Sequence, residues 1–298
     1  LFVANQYDLS STPWVGKIHF FRNNGSSSSP NYIEESTSLL NENMGQMLTP
    51  EFGDLDGDGD MDLLVGDFNG YIQYFENIGT NNNLTFSFID YVGNIDLSGN
   101  SVPTLGDLDA DGDLDLLIGQ LNGALIFYRN IGSVSQYEFQ VESFDGIQVG
   151  SNSAPELVDM DSDGDLDLVL GSGEERLYFY WNESASNFQF QLSLNMEVPL
   201  IGVNTKPAFG KLFDSETLDI IIGVSTGGMY HMQTAICVHL GDMNGDGGYN
   251  VLDIVALVNC VLADNCAGCT GDMNGDDGYN VLDIVALANC VLSISCGD

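Results

Sequence analysis

Positive charge is almost missing from this chain: six Lys and Arg stand against 44 Asp and Glu, a formal charge of −38 over 298 residues. Phosphate binding needs a basic patch, so nucleic acid and anionic membrane surfaces are excluded as partners. No apolar run approaches the roughly 20 residues that span a bilayer, which argues against membrane insertion. The three histidines, His19, His231 and His239, are scattered and have no repeated nucleophile or acid beside them. There is no Gly-rich phosphate loop and no nucleophile elbow, so an enzyme is not expected. Cysteine is absent until Cys237, after which all six occur by Cys296. Such a cluster favours disulfides and an oxidising, extracellular compartment.

The acidity does not read as disorder, because 44% of the residues are hydrophobic. About half of the acids fall in five short loops, which points to neutralisation by cations. Leu1 reads as the middle of a strand, without Met or signal peptide, as expected of a mature or truncated product.

Two repeat systems organise the chain. The longer has a spacing of about 52 residues and occupies residues 1–235. Its landmark runs from Phe52-Gly53-Asp54 through Gly66, recurs from Leu105 through Gly119 and from Asp159 through Gly171, and is worn from Phe209 through Gly223. Each repeat reads as four strands: Val102 to Asp107, Leu114 to Gln120, Ala124 to Asn130 and Tyr137 to Phe144 in the second copy. Four-stranded sheets at this period fit the blades of a β-propeller, four to five of them by this count, so that an incomplete ring is one outcome. Leu1-Phe2-Val3-Ala4 aligns with Leu63 to Gly66, so the first blade lacks its opening strand. The aromatics Tyr71, Tyr74, Phe75, Phe127, Tyr128, Tyr178, Phe179, Tyr180 and Trp181 read as blade packing rather than a sugar platform.

In the first landmark, Asp54, Asp56, Asp58 and Asp62 take loop positions one, three, five and nine, with Gly59 at the sharp turn and Asp60 at position seven offering its carbonyl. This spacing wraps carboxylates around one hard cation, and Ca²⁺ is the cofactor expected. The equivalent sets are Asp107, Asp109, Asp111, Asp113 and Asp115, then Asp159, Asp161, Asp163, Asp165 and Asp167. Lys211, Phe213 and Ser215 replace the leading acids of the fourth copy, where no calcium is expected.

Residues 236–298 carry a shorter repeat with a period of 30. Its candidate ligands are Asp242, Asn244, Asp246, Asn250 and Asp253, then Asp272, Asn274, Asp276, Asn280 and Asp283, at positions one, three, five, nine and twelve of an EF-hand-type loop. Gly247 fills position six of the first loop and Asp277 that of the second. Each loop leads into a short helix, with Ile254, Leu257, Val258 and Val261, and Ile284, Leu287 and Val291, at helical spacing. Of the fifteen possible cysteine pairings, Cys260–Cys266, Cys290–Cys296 and Cys237–Cys269 fit the repeat best. A zinc site is the rival reading, although the spacings do not resemble a zinc ribbon.

On these motifs residues 1–235 resemble the FG-GAP/VCBS repeats also seen in integrin α-chain propellers, and residues 240–293 resemble dockerin modules. The first resemblance implies a β-propeller, usually of seven blades, with a Ca²⁺ loop between the first two strands of a blade. The second implies a small α-helical, calcium-dependent module that docks on cohesin domains. Its recognition positions are Val251, Leu252, Val281 and Leu282, apolar where hydroxyl residues are common, which leaves partner contact and internal packing equally open. The function expected is a secreted or cell-surface calcium-binding protein. Its propeller would bind protein or polysaccharide, and its C-terminal module would dock to a cohesin-like or other surface protein. The alternative is an accessory portion of an extracellular polysaccharide-degrading enzyme.

Overall fold

A computed structural model describes residues 1–5, 15–26, 29–36, 39–40, 44–80, 84–92, 99–144, 146–160, 163–174, 176–182, 189–197, 202–212, 218–233, 243, 250–263, 271, 273 and 279–293. The chain divides into two compact units, Leu1–Met232 and Gln233–Asp298.

The first unit is a β-propeller of five antiparallel sheets. Sheet one holds β1 (Phe2–Ala4), β2 (Ile18–Asn23) and β3 (Tyr32–Ser36). Sheet two holds β4 (Thr49–Gly53), β5 (Asp62–Gly66), β6 (Ile72–Asn77) and β7 (Phe86–Tyr91). Sheet three holds β8 (Val102–Gly106), β9 (Asp115–Gly119), β10 (Leu125–Asn130) and β11 (Phe139–Glu142). Sheet four holds β12 (Ala154–Val158), β13 (Asp167–Gly171), β14 (Arg176–Asn182) and β15 (Phe190–Glu197). Sheet five holds β16 (Lys206–Gly210), β17 (Asp219–Gly223) and β18 (Met229–Gln233). The strands of the second repeat fall where the sequence places them, the first three a residue or two shorter and the outer one, β11, half the length of the Tyr137 to Phe144 segment; β1 takes the second-strand position of the first sheet.

The second strand of each complete blade is an unbroken apolar run, because neighbouring blades cover both its faces. Leu63, Val65, Leu116, Leu117, Leu168 and Leu170 are fully buried, each contributing about 1.5–3 kcal/mol. These runs end in Gly for a steric reason. A Cβ on Gly66, Gly119 or Gly171 would meet the carbonyl oxygen of Ser101, Ser153 or Thr205 of the following blade at 2.2, 2.2 and 2.1 Å.

That following residue is also a polar staple. The Ser101 hydroxyl donates to Tyr71 O at 2.7 Å and accepts from Asp67 N at 3.0 Å. Ser153 repeats the pair with Ala124 O and Gln120 N, and Thr205 with Arg176 O and Ser172 N. One residue earlier, Asn100, Asn152 and Asn204 all adopt left-handed backbone, which Asn tolerates better than most residues. Asn100 Nδ2 donates to Asn152 Oδ1 at 3.3 Å, and Asn152 Nδ2 to Asn204 Oδ1 at 2.8 Å. The ladder stops at Asn100, whose buried Oδ1 has no partner, because the equivalent residue one blade earlier is Met47, also left-handed at φ 54°. Met47→Asn places a donor opposite that oxygen and relieves the backbone, so thermal denaturation should show a gain of about 1 kcal/mol.

Innermost strands leave an unpaired edge, and this propeller satisfies it from the preceding blade. Glu51 accepts from Leu105 N at 2.9 Å, Thr104 Oγ1 from Leu157 N at 3.4 Å, and Glu156 from Phe209 N at 3.4 Å. Burial raises the Glu51 carboxyl to about 7. Burial, and then the Glu51 charge, raise Glu156 as well. An acid with a raised folded pKa releases its proton more readily from the unfolded chain. Stability is therefore full below the ordinary glutamate value of about 4.3 and falls as pH rises towards about 7. Glu51→Gln keeps an acceptor and removes the charge. Its unfolding free energy should match the parent's at pH 4 and exceed it at pH 8 by an amount on the order of 1–3 kcal/mol, measured by denaturation at the two pH values.

In the second unit, α1 (Val251–Ala263) and α2 (Val281–Ser293) are repeat-equivalent and pack on each other. Each runs 13 residues, slightly longer than the periodicity implied. Leu257 and Leu287 are fully buried. Among the described residues no cysteine is free. The partners proposed for Cys260 and Cys290 lie outside the described residues, as do Cys237 and Cys269. Among the described residues no helix is long and apolar enough to cross a membrane.

Candidate metal centres

Each propeller loop turns because its aspartates bind its own backbone. Asp54 Oδ1 accepts from Gly57 N at 2.7 Å and Oδ2 from Gly59 N at 3.0 Å. Asp56 Oδ1 accepts from Asp58 N, and Asp58 Oδ1 from Asp60 N. The second loop repeats this, Asp107 accepting from Asp111 N and Gly112 N and Asp111 Oδ1 from Asp113 N. In the third, Asp159 accepts from Gly164 N and Asp163 from Asp165 N; Asp161 lies outside the described residues.

The wrapped loops bring ligand oxygens together. One carboxylate oxygen from each of Asp54, Asp56 and Asp58 lies within 4.8 Å of the others, as does one from each of Asp107, Asp109 and Asp115. In the second loop two carboxylate oxygens, Asp109 Oδ1 and Asp113 Oδ1, are buried without a hydrogen-bond partner. The other Asp109 oxygen pairs with the Arg129 guanidinium, which also bonds Glu142 at 2.9 Å. Burial pushes the Asp113 carboxyl up, with the charges of Asp111 and Asp107 adding to it. A hard cation fits this donor set: every ligand candidate is oxygen, and two of the oxygens are already stripped of water. Asp107, Asp109 and Asp115 would supply side-chain oxygens there, and the unpartnered Asp113 Oδ1 leaves position seven a carboxylate to offer besides its carbonyl.

The aspartate at position nine has a second task that its spacing does not reveal. Asp62 is buried; its Oδ2 accepts from Leu55 N at 3.1 Å and the Tyr74 hydroxyl at 3.0 Å, and its Oδ1 from Asn77 N at 2.8 Å. Asp115 accepts from Leu108 N and Asn130 N, and Asp167 from Met160 N and Asn182 N. One carboxylate thus ties the loop to the end of the third strand. Burial outweighs these bonds, raising Asp62 and pushing Asp115 up to about 6. In the worn fourth loop the leading acids are gone but Asp219 stays, fully buried, accepting from Leu212 N at 2.9 Å and lying 2.7 Å from His231 Nε2. Phe213 and Ser215 lie outside the described residues.

Asp242, Asn244, Asp246, Asp272, Asn274 and Asp276 of the C-terminal loops also lie outside the described residues. Asn250 and Asp253 are described, and they form a reciprocal helix cap. Asn250 Oδ1 accepts from Leu252 N at 2.8 Å while Asp253 Oδ2 accepts from Asn250 N at 2.8 Å. Asn280 and Asp283 repeat it. Asp253 also accepts from Met243 N at 3.0 Å, binding loop to helix.

Of the aromatics read as blade packing, Tyr74, Phe75, Phe127, Phe179 and Tyr180 are buried and Tyr128, Tyr178 and Trp181 half-buried. Tyr71 departs from that reading, being 52% exposed. Val251, Leu252, Val281 and Leu282 are 59–64% exposed and are not core.

No curated protein matches the chain. Among solved structures, an Agrocybe aegerita lectin described as recognising non-reducing terminal N-acetylglucosamine is similar at 15% identity and a TM-score of 0.43. The likeness covers 74% of this chain and 60% of the lectin chain, so the match spans less than two thirds of that protein. Residues 54–118, from the first Asp loop through the second, match the family model of the FG-GAP-like repeat, in keeping with the blade architecture around them.

Proposed function

We propose that this is an extracellular, non-enzymatic, calcium-dependent binding protein. Ca²⁺ holds the propeller loops, and the C-terminal unit is a dockerin-like module for a cohesin-like or other surface protein. The observation that carries the reading is the pair of buried, partnerless carboxylate oxygens on Asp109 and Asp113 inside an all-oxygen loop. Calcium is favoured over zinc because nitrogen and sulfur ligands are missing from the loop, and over magnesium because several carboxylates converge on a flexible turn. The docking role is supported by the exposure of Val251, Leu252, Val281 and Leu282 at the starts of two repeat-equivalent helices.

Calorimetric titration of the decalcified full chain with CaCl₂ tests this. Binding with Kd on the order of 0.1–1 mM is expected. Asp109→Ala should remove one site, and MgCl₂ should not substitute. Absence of calcium binding to the parent ends the proposal. For the docking arm, a cohesin domain should be retained on the immobilised full chain with calcium and released by EDTA. Retention unchanged by Leu252→Asp combined with Leu282→Asp would place the contact elsewhere.

A further inference from the structure

In the second blade three aromatic rings stand exposed in one connected group: Tyr71, just before β6, at 52%, and Phe88 and Tyr91 of the outer strand β7 at 42% and 50%. Strand alternation alone would send Phe88 and Tyr91 to opposite faces, since they are three residues apart. The register between β6 and β7 shifts, however: Phe75 pairs with Phe88 and Tyr74 with Asp90, leaving Ile89 as the extra residue of a bulge. The bulge returns Tyr91 to the side of Phe88; the first and fourth sheets carry an equivalent bulge, so the bulge belongs to the blade pattern and what distinguishes the second blade is the aromatic residues placed on it. The rings then meet edge to face in series. Buried Phe75 contacts Phe88, Phe88 contacts Tyr91, and Tyr91 contacts Tyr71, each with centroids 5.5 Å apart. Tyr71 is held from the backbone side as well, its N–H donating to Asp67 Oδ1 at 3.0 Å. An exposed aromatic group anchored through successive rings to a core phenylalanine loses little freedom when a ligand settles on it.

Size and charge decide what that ligand is. Aromatic side chains present about 150–250 Å² each, so three half-exposed rings offer roughly 300 Å². A stable protein interface needs about 800 Å² per partner, which is too large for this platform. The charge of −38 disfavours anionic ligands. Two rings carry hydroxyls, so the surface has flat apolar faces with hydrogen-bonding groups at the rim. That combination matches a pyranose, whose C–H face stacks on a ring while its hydroxyls bond at the edge.

We infer that Tyr71, Phe88 and Tyr91 form a stacking platform for a neutral pyranosyl chain on the flank of the second blade. This deepens the proposal that the propeller is a binding module and rests on it. The test titrates the calcium-loaded full chain, by calorimetry and tyrosine fluorescence, with neutral hexasaccharides of β-1,4-linked glucose, xylose and N-acetylglucosamine. A galacturonic acid hexamer serves as the anionic control. At least one neutral probe should bind and the anionic one should not. Tyr71→Ala and Tyr91→Ala should each weaken binding by about tenfold, while Tyr71→Phe, which keeps the stacking face, should weaken it by less. Both alanine variants should keep the parent's melting temperature and calcium titration, which separates loss of the platform from loss of the calcium-dependent fold. Binding that survives both alanine substitutions overturns the platform and leaves the binding-module reading intact. Failure of every neutral probe to bind, with calcium binding retained, overturns the platform and the glycan arm together.

Discussion

Chelation of the full chain with EDTA should lower its melting temperature by about 10–25 °C relative to 10 mM CaCl₂. For a Kd of about 0.1–1 mM, each occupied loop adds roughly 1.4–2.7 kcal/mol at that concentration. Three propeller loops together give about 4–8 kcal/mol, and about 2–4 °C accompanies each kcal/mol in a unit of this size. The effect should be this large because each loop joins the first two strands of its blade. Losing the cation leaves up to five carboxylates in repulsion and strands buried oxygens such as Asp109 Oδ1. Sodium chloride at equal ionic strength should not restore the loss, since screening acts on exposed charges and not on a coordination shell. An unmoved transition in scanning calorimetry would remove calcium from the account of stability.

The position-nine aspartates should behave differently from the other acids of their loops. Asp219→Ala is expected to cost about 1–3 kcal/mol with or without calcium, measured by urea denaturation in both conditions. Its carboxylate is fully buried and bound to Leu212 N and to His231, in a blade whose leading acids are replaced. Removing it takes the acceptor from the half-buried Leu212 N–H and from the partly exposed His231 ring, and leaves a void where the buried carboxylate sat. Asp54→Ala, by contrast, should lose most of its effect once EDTA is present, because its remaining bonds are to exposed loop amides. If the Asp219 penalty vanishes in EDTA, its role is tied to metal and the metal-independent structural role assigned to it fails.

Much of the blade architecture could be read from the chain alone. The run Leu63-Leu64-Val65-Gly66 and its copies repeat at one spacing, and a sheet that recurs so regularly has few ways to bury both faces of its second strand. The convergence of the leading aspartates was legible for the same reason: their spacing is a local property of the loop. The bonds that the position-nine aspartates make to the third strand were not legible. Asp62 bonds Asn77 across fifteen residues, and nothing in a one-three-five-nine pattern distinguishes a ligand from a strap. The caps made by Asn250 and Asp253 were hidden likewise, because an EF-hand loop and a capping box ask for the same residue types at the start of a helix.

By itself the sequence determined where the turns, strands and acidic loops fall, since those follow from side chains close along the chain. Only the tertiary structure decided which oxygens are left without partners, which serines and asparagines lock one blade to the next, and that Ile89 turns Tyr91 to the side of Phe88. Contacts such as Asn100 to Asn152 span 52 residues, and a bulge is defined by the strand opposite. Neither has a local chemical signature, because each arises only when blades pack.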